Sequence, residues 1–175
     1  MKKVIQVRLD PQSIADAIKE IEAYKKRIEM KVRLLVQRLS AYGAEVARVK
    51  IVDLGAYATG ALLSGVSGYY SPALNAGFVH VTSDHVAFVE FGTGVKGNGT
   101  YPNAEYLAKA SWGYVTGGDK NAIFTTKDGR VGWMFPLPDG SYRFTEGLTS
   151  RPFMYETVLQ LQRDFPRIVK EVFST

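Results

Sequence analysis

Between Ser13 and Asp53 the apolar residues recur on a three-and-four spacing, which lines up on one face only if the backbone is helical. Ile14, Ala17, Ile18, Ile21, Tyr24, Ile28, Val32, Leu35, Val36 and Leu39 carry the pattern to Ser40. Asp10, Pro11 and Ser13 just before it have the chemistry of a helix start. From Ser13 to Ser40 such a helix is about 28 residues, or roughly 42 Å, long. Tyr42 and Gly43 are expected to bend or end it, yet Ala44, Val46, Ala47, Val49 and Ile51 resume the pattern. A continuous helix to Asp53 would reach roughly 60 Å, longer than a compact domain of this size is wide, so it must either break or protrude. Val4 to Leu9 alternate weakly and are expected to form a short strand.

The 175 residues are long enough to bury a core without staples, and 46% apolar with 22% charged residues is an ordinary globular balance. One domain spanning 1–175 is expected. Cysteine is absent, which excludes thiol nucleophiles, disulfides and thiolate-held metals. The apolar start is broken by Gln6, Arg8 and Asp10, too early for a secretory signal, and no run approaches the roughly 20 apolar residues of a membrane span. Synthesis as a soluble cytoplasmic chain is expected. The net charge of +5 is concentrated: between Lys25 and Lys50 the bases Lys25, Lys26, Arg27, Lys31, Arg33, Arg38, Arg48 and Lys50 stand against only Glu29 and Glu45. A solvated helix face is the plainest reading of that cluster. A polyanionic partner, and non-specific nucleic acid in particular, is the alternative.

Downstream, Gly55 to Gly68 is small and glycine-rich and leads into a strand near Val66 to Tyr70. Gly77 to Thr82 and His85 to Phe91 both alternate, and Ser83 with Asp84 is expected to turn them into a hairpin pairing Val81 with Val86 and Val79 with Phe88. That hairpin would be apolar on both faces and would need two covers, the second of them another subunit. Val95 to Arg130 is rich in Gly, Asn, Thr, Lys and Asp and is expected to be a long flexible loop, of the kind that carries function or is ordered by a partner. A second hairpin follows, with Trp133, Phe135 and Leu137 alternating before Pro138-Asp139-Gly140, then Tyr142 and Phe144. Ser150 or Arg151 is expected to cap a final helix with Pro152 in its first turn, facing the core with Met154, Val158, Leu161, Phe165, Ile168 or Val169, and Val172, and kinked at Pro166. The fold class is therefore α+β, a small antiparallel sheet of hairpins packed against a long N-terminal and a C-terminal helix.

No reactive constellation stands out in the sequence. Gly92, Gly94 and Gly97 spell GxGxxG, but Asn98 to Pro102 are not expected to open the helix that a phosphate cradle needs, and no GK[ST] follows. His85 and Glu90 have opposite strand parity, and His80 with His85 lacks a third metal ligand. Ser64, Ser67 and Ser71 lack a nucleophile elbow and a placed base. No catalytic, cofactor-binding or metal residue is expected, and Glu90 is read as architecture, serving its turn or a subunit contact.

Three segments, TGALLSGV (Thr59 to Val66), FVEFGTG (Phe88 to Gly94) and SRPFMYET (Ser150 to Thr157), together resemble the bacteriophage HK97 gene product ten-like family of neck and tail components. GWMFPLPDGSYRFTEG is similar to the tryptophan-containing hairpin of one branch of that family. The resemblance covers roughly Gly55 to Leu161, with the elements in the family's order. It implies a non-enzymatic virion protein of a tailed phage or prophage, without cofactors, at the head-tail junction or upper tail. It further implies a ring of identical subunits, six among the possible numbers, that contacts connector or head-closure proteins and tail-tube or tail-terminator proteins. The residues carried by the resemblance are Thr59, Gly60, Leu62, Ser64, Val89, Glu90, Phe91, Gly92, Thr93, Gly94, Trp133, Arg151, Pro152 and Phe153.

Overall fold

A computed structural model describes residues 6–56, 60–102, 123–137 and 139–174, without the side chain at 136. Thr59 and most of the stretch expected to form the long loop lie outside the described residues. The molecule mixes α and β structure: a long N-terminal helix, a C-terminal helix, and small antiparallel sheets of two and three strands packed against them.

Helix α1 runs from Pro11 to Asp53. Asp10 is its cap, in extended conformation, and accepts from the Ser13 N–H at 2.8 Å, while Ser13 Oγ accepts from the Arg8 N–H at 2.8 Å. The first bond satisfies a donor that the helix start leaves open, and the second ties the preceding chain back onto the first turn. Residues 6–10 form no strand, so the expected N-terminal strand is absent over its described part. The 43 residues are uninterrupted, about 64 Å at 1.5 Å each, so the helix protrudes and does not break.

Gly43 is in α1 for a different reason from the expected bend. A Cβ there would lie 2.6 Å from Val79 Cγ2 and 3.1 Å from Leu161 Cδ1. It is a point where two other elements press on the helix together. One of them is the hairpin of β1 (Val66–Ser71) and β2 (Ala76–Val81), in the register Val66↔Val81 to Ser71↔Ala76. Its backbone seats directly on α1, since a Cβ on Gly68 would fall 2.1 Å from Ser40 O and one on Gly77 2.8 Å from Val36 Cγ1. The glycine-rich stretch before and within the hairpin thus permits close approach. Arg48 fastens the edge by donating to Val66 O at 2.7 Å.

The other element is the C-terminal helix α5 (Phe153–Ser174), which runs antiparallel to α1, with Lys50 beside Glu156 and Lys31 beside Phe173. It is continuous through Pro166. Its buried residues are Phe153, Thr157, Ile168 and Val172, while Val158 and Phe165 remain 49% and 46% exposed. The expected face holds at Met154, Leu161, Ile168 and Val172, and is displaced only where Thr157 takes the place of Val158 and where Phe165 stays outside. Thr157 can be buried there because its hydroxyl donates to Phe153 O at 2.7 Å, leaving no orphaned polar group.

The largest correction concerns His85 to Gly94. Val86–Phe91 is a short helix, α3, and β2 pairs with β1 on its other side, so the expected Val81–Val86 hairpin does not form and its doubly apolar sheet does not exist. VAFVEF satisfies two periods at once. Read at two it alternates, but Val86, Val89 and Glu90 also stand at i, i+3 and i+4, and those are the positions turned inward. A four-residue helix, α2 (Ala61–Ser64), precedes β1, and another, α4 (Gly94–Gly97), opens within the glycine motif itself. Asn98 to Pro102, where a phosphate cradle would need its helix, form turns and no helix, as expected. The second hairpin forms as expected from β4 (Val131–Pro136) and β5 (Tyr142–Thr145), with β3 (Ile123–Thr125) added on the outer edge. The shared core is Ala44, Ala47, Ile51, Ala56, Leu62, Val66 and Phe153, with Val79, Val81, Val89 and Met154 packed around it.

Seating by glycine gives a direct test. Gly68→Ala drives a methyl group into backbone and is expected to cost at least about 1–3 kcal/mol in denaturant melts. Gly43→Ala meets only side-chain atoms and gains helix propensity, so it should cost clearly less. Equal melting of both variants and the unchanged chain would mean that the hairpin does not rest on α1.

Candidate functional site

Helix α5 begins without a cap of its own. Pro152 precedes its first residue and has no side-chain acceptor, Arg151 is a cation, and Ser150 Oγ is buried without a hydrogen-bond partner. The expected Ser150 or Arg151 cap is therefore not what closes this helix end. The acceptor comes from the end of α3, 64 residues away in sequence. Glu90, only 4% exposed, accepts from the Met154 N–H on Oε2 at 2.9 Å and from the Tyr155 N–H on Oε1 at 3.0 Å. These are the second and third helical positions, the donors a capping side chain normally takes. The carboxylate also lies where the helix dipole favours negative charge.

The surrounding polar groups close on one another. Arg151 donates its N–H to Val89 O at 2.8 Å and its Nη1 to Gly55 O at 2.6 Å, tying α5 to both α3 and the turn after α1. Thr93 Oγ1 accepts from Leu148 N at 3.1 Å, and Thr100 Oγ1 accepts from Ser150 N at 3.0 Å. Thr93 and Gly94 bridge to Leu148 and Gly147, and Lys96 adds an ion pair to Glu146 at 3.6 Å. Gly92 sits at φ +76°, with a Cβ there 2.8 Å from Leu148 O, so only glycine fits the turn. The GxGxxG run is thus a socket for residues 146–151, with its space already filled by protein.

An aromatic rim surrounds the carboxylate. Tyr101 stacks obliquely on Phe91 at 4.9 Å, meets the Tyr155 ring edge at 6.0 Å, and its hydroxyl reaches Glu90 Oε1 at 3.5 Å. Burial raises the Glu90 pKa above the usual carboxylate range, against the lowering effect of the α5 backbone N–H groups. Burial, followed by the charge of Glu90, pushes the Tyr101 hydroxyl up to about 12. Both oxygens of Glu90 are engaged in holding α5.

The residues singled out from sequence largely meet here. Val89, Glu90, Phe91, Gly92, Thr93 and Gly94 form one wall, and Arg151, Pro152 and Phe153 the other. Trp133 is half-buried over Gly94, where a Cβ would come within 2.7 Å of its ring. Leu62 joins Phe153 in the core, Gly60 takes φ +76° ahead of α2, and Ser64 is exposed, its hydroxyl donating to Ala61 O at 3.1 Å. Thr100, Tyr101 and Glu146 belong to the junction and were not singled out. The one sequence signal for them was indirect: a helix that starts at Pro-Phe with no Ser, Thr, Asp or Asn at the cap must borrow an acceptor.

Elsewhere, no group of three or more His, Asp or Glu side chains is placed to hold a metal, and no helix is long and apolar enough to cross a membrane, both among the described residues. The basic cluster of α1 is spread: at 100° per residue its eight bases point in all directions. Lys31 donates to Phe173 O, Arg48 to Val66 O, and Lys25 and Lys50 pair with Glu29 and Glu156. Comparison of the chain with protein-family models, with curated proteins and with solved structures finds no match.

Removing the acceptor should loosen α5. Glu90→Ala is expected to cost about 1–3 kcal/mol, and Glu90→Gln a similar amount, because the amide can accept one N–H but presents N–H₂ to the other. The pH dependence has a defined sign. With its folded-state pKa raised, Glu90 binds more protons in the folded than in the unfolded chain, between the ordinary glutamate value near about 4.3 and the raised one. Relative to Glu90→Gln, the unchanged chain should therefore gain stability as pH falls through that window and lose it as pH rises. Denaturant melts at several pH values check this, and a difference independent of pH would remove Glu90 as the titrating group.

Proposed function

We propose that this protein is a structural, non-enzymatic virion component of a tailed bacteriophage or prophage, a ring-forming neck or tail-completion protein at the head-tail junction. Its partners are further copies of itself, connector or head-closure proteins on one side, and tail-tube or tail-terminator proteins on the other. The observation that carries the reading is the convergence of FVEFGTG and SRPF on one junction whose polar groups are consumed by each other. Residues that the resemblance singles out thus serve to hold three parts of the chain at a fixed mutual angle, which an assembly component requires and a reaction centre does not. The tryptophan hairpin docks on the same junction through Trp133 and Gly94.

Non-specific nucleic-acid binding through Lys25 to Lys50 is the weaker reading, because a groove that tracks a phosphate backbone needs its bases on one side. It would show as DNA binding that falls steeply with salt. At physiological salt no such binding is expected.

Electron microscopy and native mass spectrometry of the full chain, alone and mixed with connector and tail-tube proteins of a tailed phage, test the proposal. Closed rings, or incorporation into connector or tail assemblies, are expected. A chain that associates with none of these and forms no ring overturns it.

A further inference from the structure

The hairpin of β1 and β2 is a two-stranded sheet whose β2 edge is unfilled. Gly65 O accepts from Thr82 N at 3.1 Å, which extends the ladder and sets its phase. Ser67↔His80, Tyr69↔Phe78 and Ser71↔Ala76 then exchange bonds, whereas Gly77, Val79 and Val81 point their N–H and C=O groups away from β1. Val66 O agrees with that phase, because Arg48 takes it on the outer side of β1. No described residue bonds the outward groups of Gly77, Val79 and Val81. Nor is the edge protected in the usual ways, since Ala76 to Val81 holds no charge, no proline and no bulge.

The space beside this edge has an apolar floor. Around α1, β1 seats at Ser40 and Arg48, β2 at Val36 and Gly43, and α5 at Gly43 and Tyr42, so β2 is the strand next to α5. Leu161 meets Val79 over Gly43. Val158 and Phe165 stand three before and four after Leu161 on the same face of α5, away from Asp164 and Arg167, which hold Tyr42 on the other side. Both are nearly half exposed. Unpaired backbone on the wall and apolar side chains on the floor fit one extended chain whose alternate residues are apolar.

We propose that this slot takes the segment Val4 to Leu9 of a second copy of the chain, added to β2 as a third strand. In that segment Ile5, Val7 and Leu9 alternate with Val4, Gln6 and Arg8, a strand pattern. Residues 6–9 form no strand in their own chain, and Val7 is 55% and Leu9 fully exposed. With Val7 opposite Val79, Ile5 and Leu9 fall opposite the two ends of the edge, Val81 and Gly77. All three then share the inner face with Val79 and lie on Val158, Leu161 and Phe165, while Gln6 and Arg8 turn outward beside Phe78 and His80.

A chain cannot fill its own slot. Pro11 lies about 38 Å along α1 from Val36, where β2 begins, whereas Val4 to Leu9 spans at most roughly 20 Å fully extended. The projecting half of α1 instead carries the segment out to a neighbour. Because the contact joins different surfaces of the two copies, it repeats head to tail until it closes. Closure into a ring rests on the function proposed above; the strand contact does not.

Sedimentation of the full chain over a concentration series reads the association. Val7→Asp with Leu9→Asp should weaken it at least roughly tenfold, and Phe165→Ser should weaken it too. Val7 and Leu9 are exposed, so circular dichroism and melting of the double variant should be unchanged, which separates lost pairing from lost folding. Because the chain has no cysteine, introduced thiols place the strand. His80→Cys should cross-link to Gln6→Cys of a second chain if the segment runs antiparallel to β2, and to Arg8→Cys if it runs parallel. Cross-linking in neither mixture, a chain monomeric at every concentration, or an association untouched by the double aspartate variant overturns the proposal. Association lost in Phe165→Ser but kept in the double variant gives the slot to another occupant and overturns it as well. Rings that persist in the double variant overturn the strand contact and leave the proposed function standing, whereas cross-linked open chains without rings support the contact and remove the ring.

Discussion

One carboxylate closes this fold. Without Glu90 the Met154 and Tyr155 N–H groups at the start of α5 would lose their acceptor, with a proline and an arginine as the preceding residues. A helix end left open in that way is costly, and here the cost is removed by a residue on α3, so the position of α5 is tied to the position of α3. Everything between them inherits the constraint. The glycines after Glu90 must turn tightly enough for residues 146–151 to reach the helix start, and the tryptophan hairpin is fixed because it is what those residues continue from.

Small residues make the second constraint. α1 presents Ser40, Gly43, Ala44 and Ala47 to the hairpin, and the hairpin answers with Gly68 and Gly77, so backbone meets backbone with little side-chain volume between. The core is consequently thin in aliphatic bulk, and Phe153, wholly buried, supplies the largest single piece of it. That residue is also the first of α5, so hydrophobic burial and helix capping act at one place and reinforce each other.

What the residues by themselves determined is whatever depends on local spacing and local chemistry. The start of α1 at Asp10-Pro11, its apolar stripe and the β4–β5 hairpin follow from a cap, periodicity and turn residues that act within a few positions, and Pro152 marks where α5 starts without supplying its cap. The α+β class follows likewise. The tertiary structure decided whatever depends on long-range partners. VAFVEF fits both a strand and a helix, and it became a helix because Val86, Val89 and Glu90 could then all turn inward while β2 found its partner in β1. Gly43 reads as a breaker, but the approach of Val79 and Leu161 makes it a contact. Thr157 and not Val158 faces inward because a hydroxyl bonded to its own helix can be buried beside small residues. The role of Glu90 was settled only by folding: an acid at the end of an apolar run has no meaning in sequence until the helix start that needs it arrives beside it.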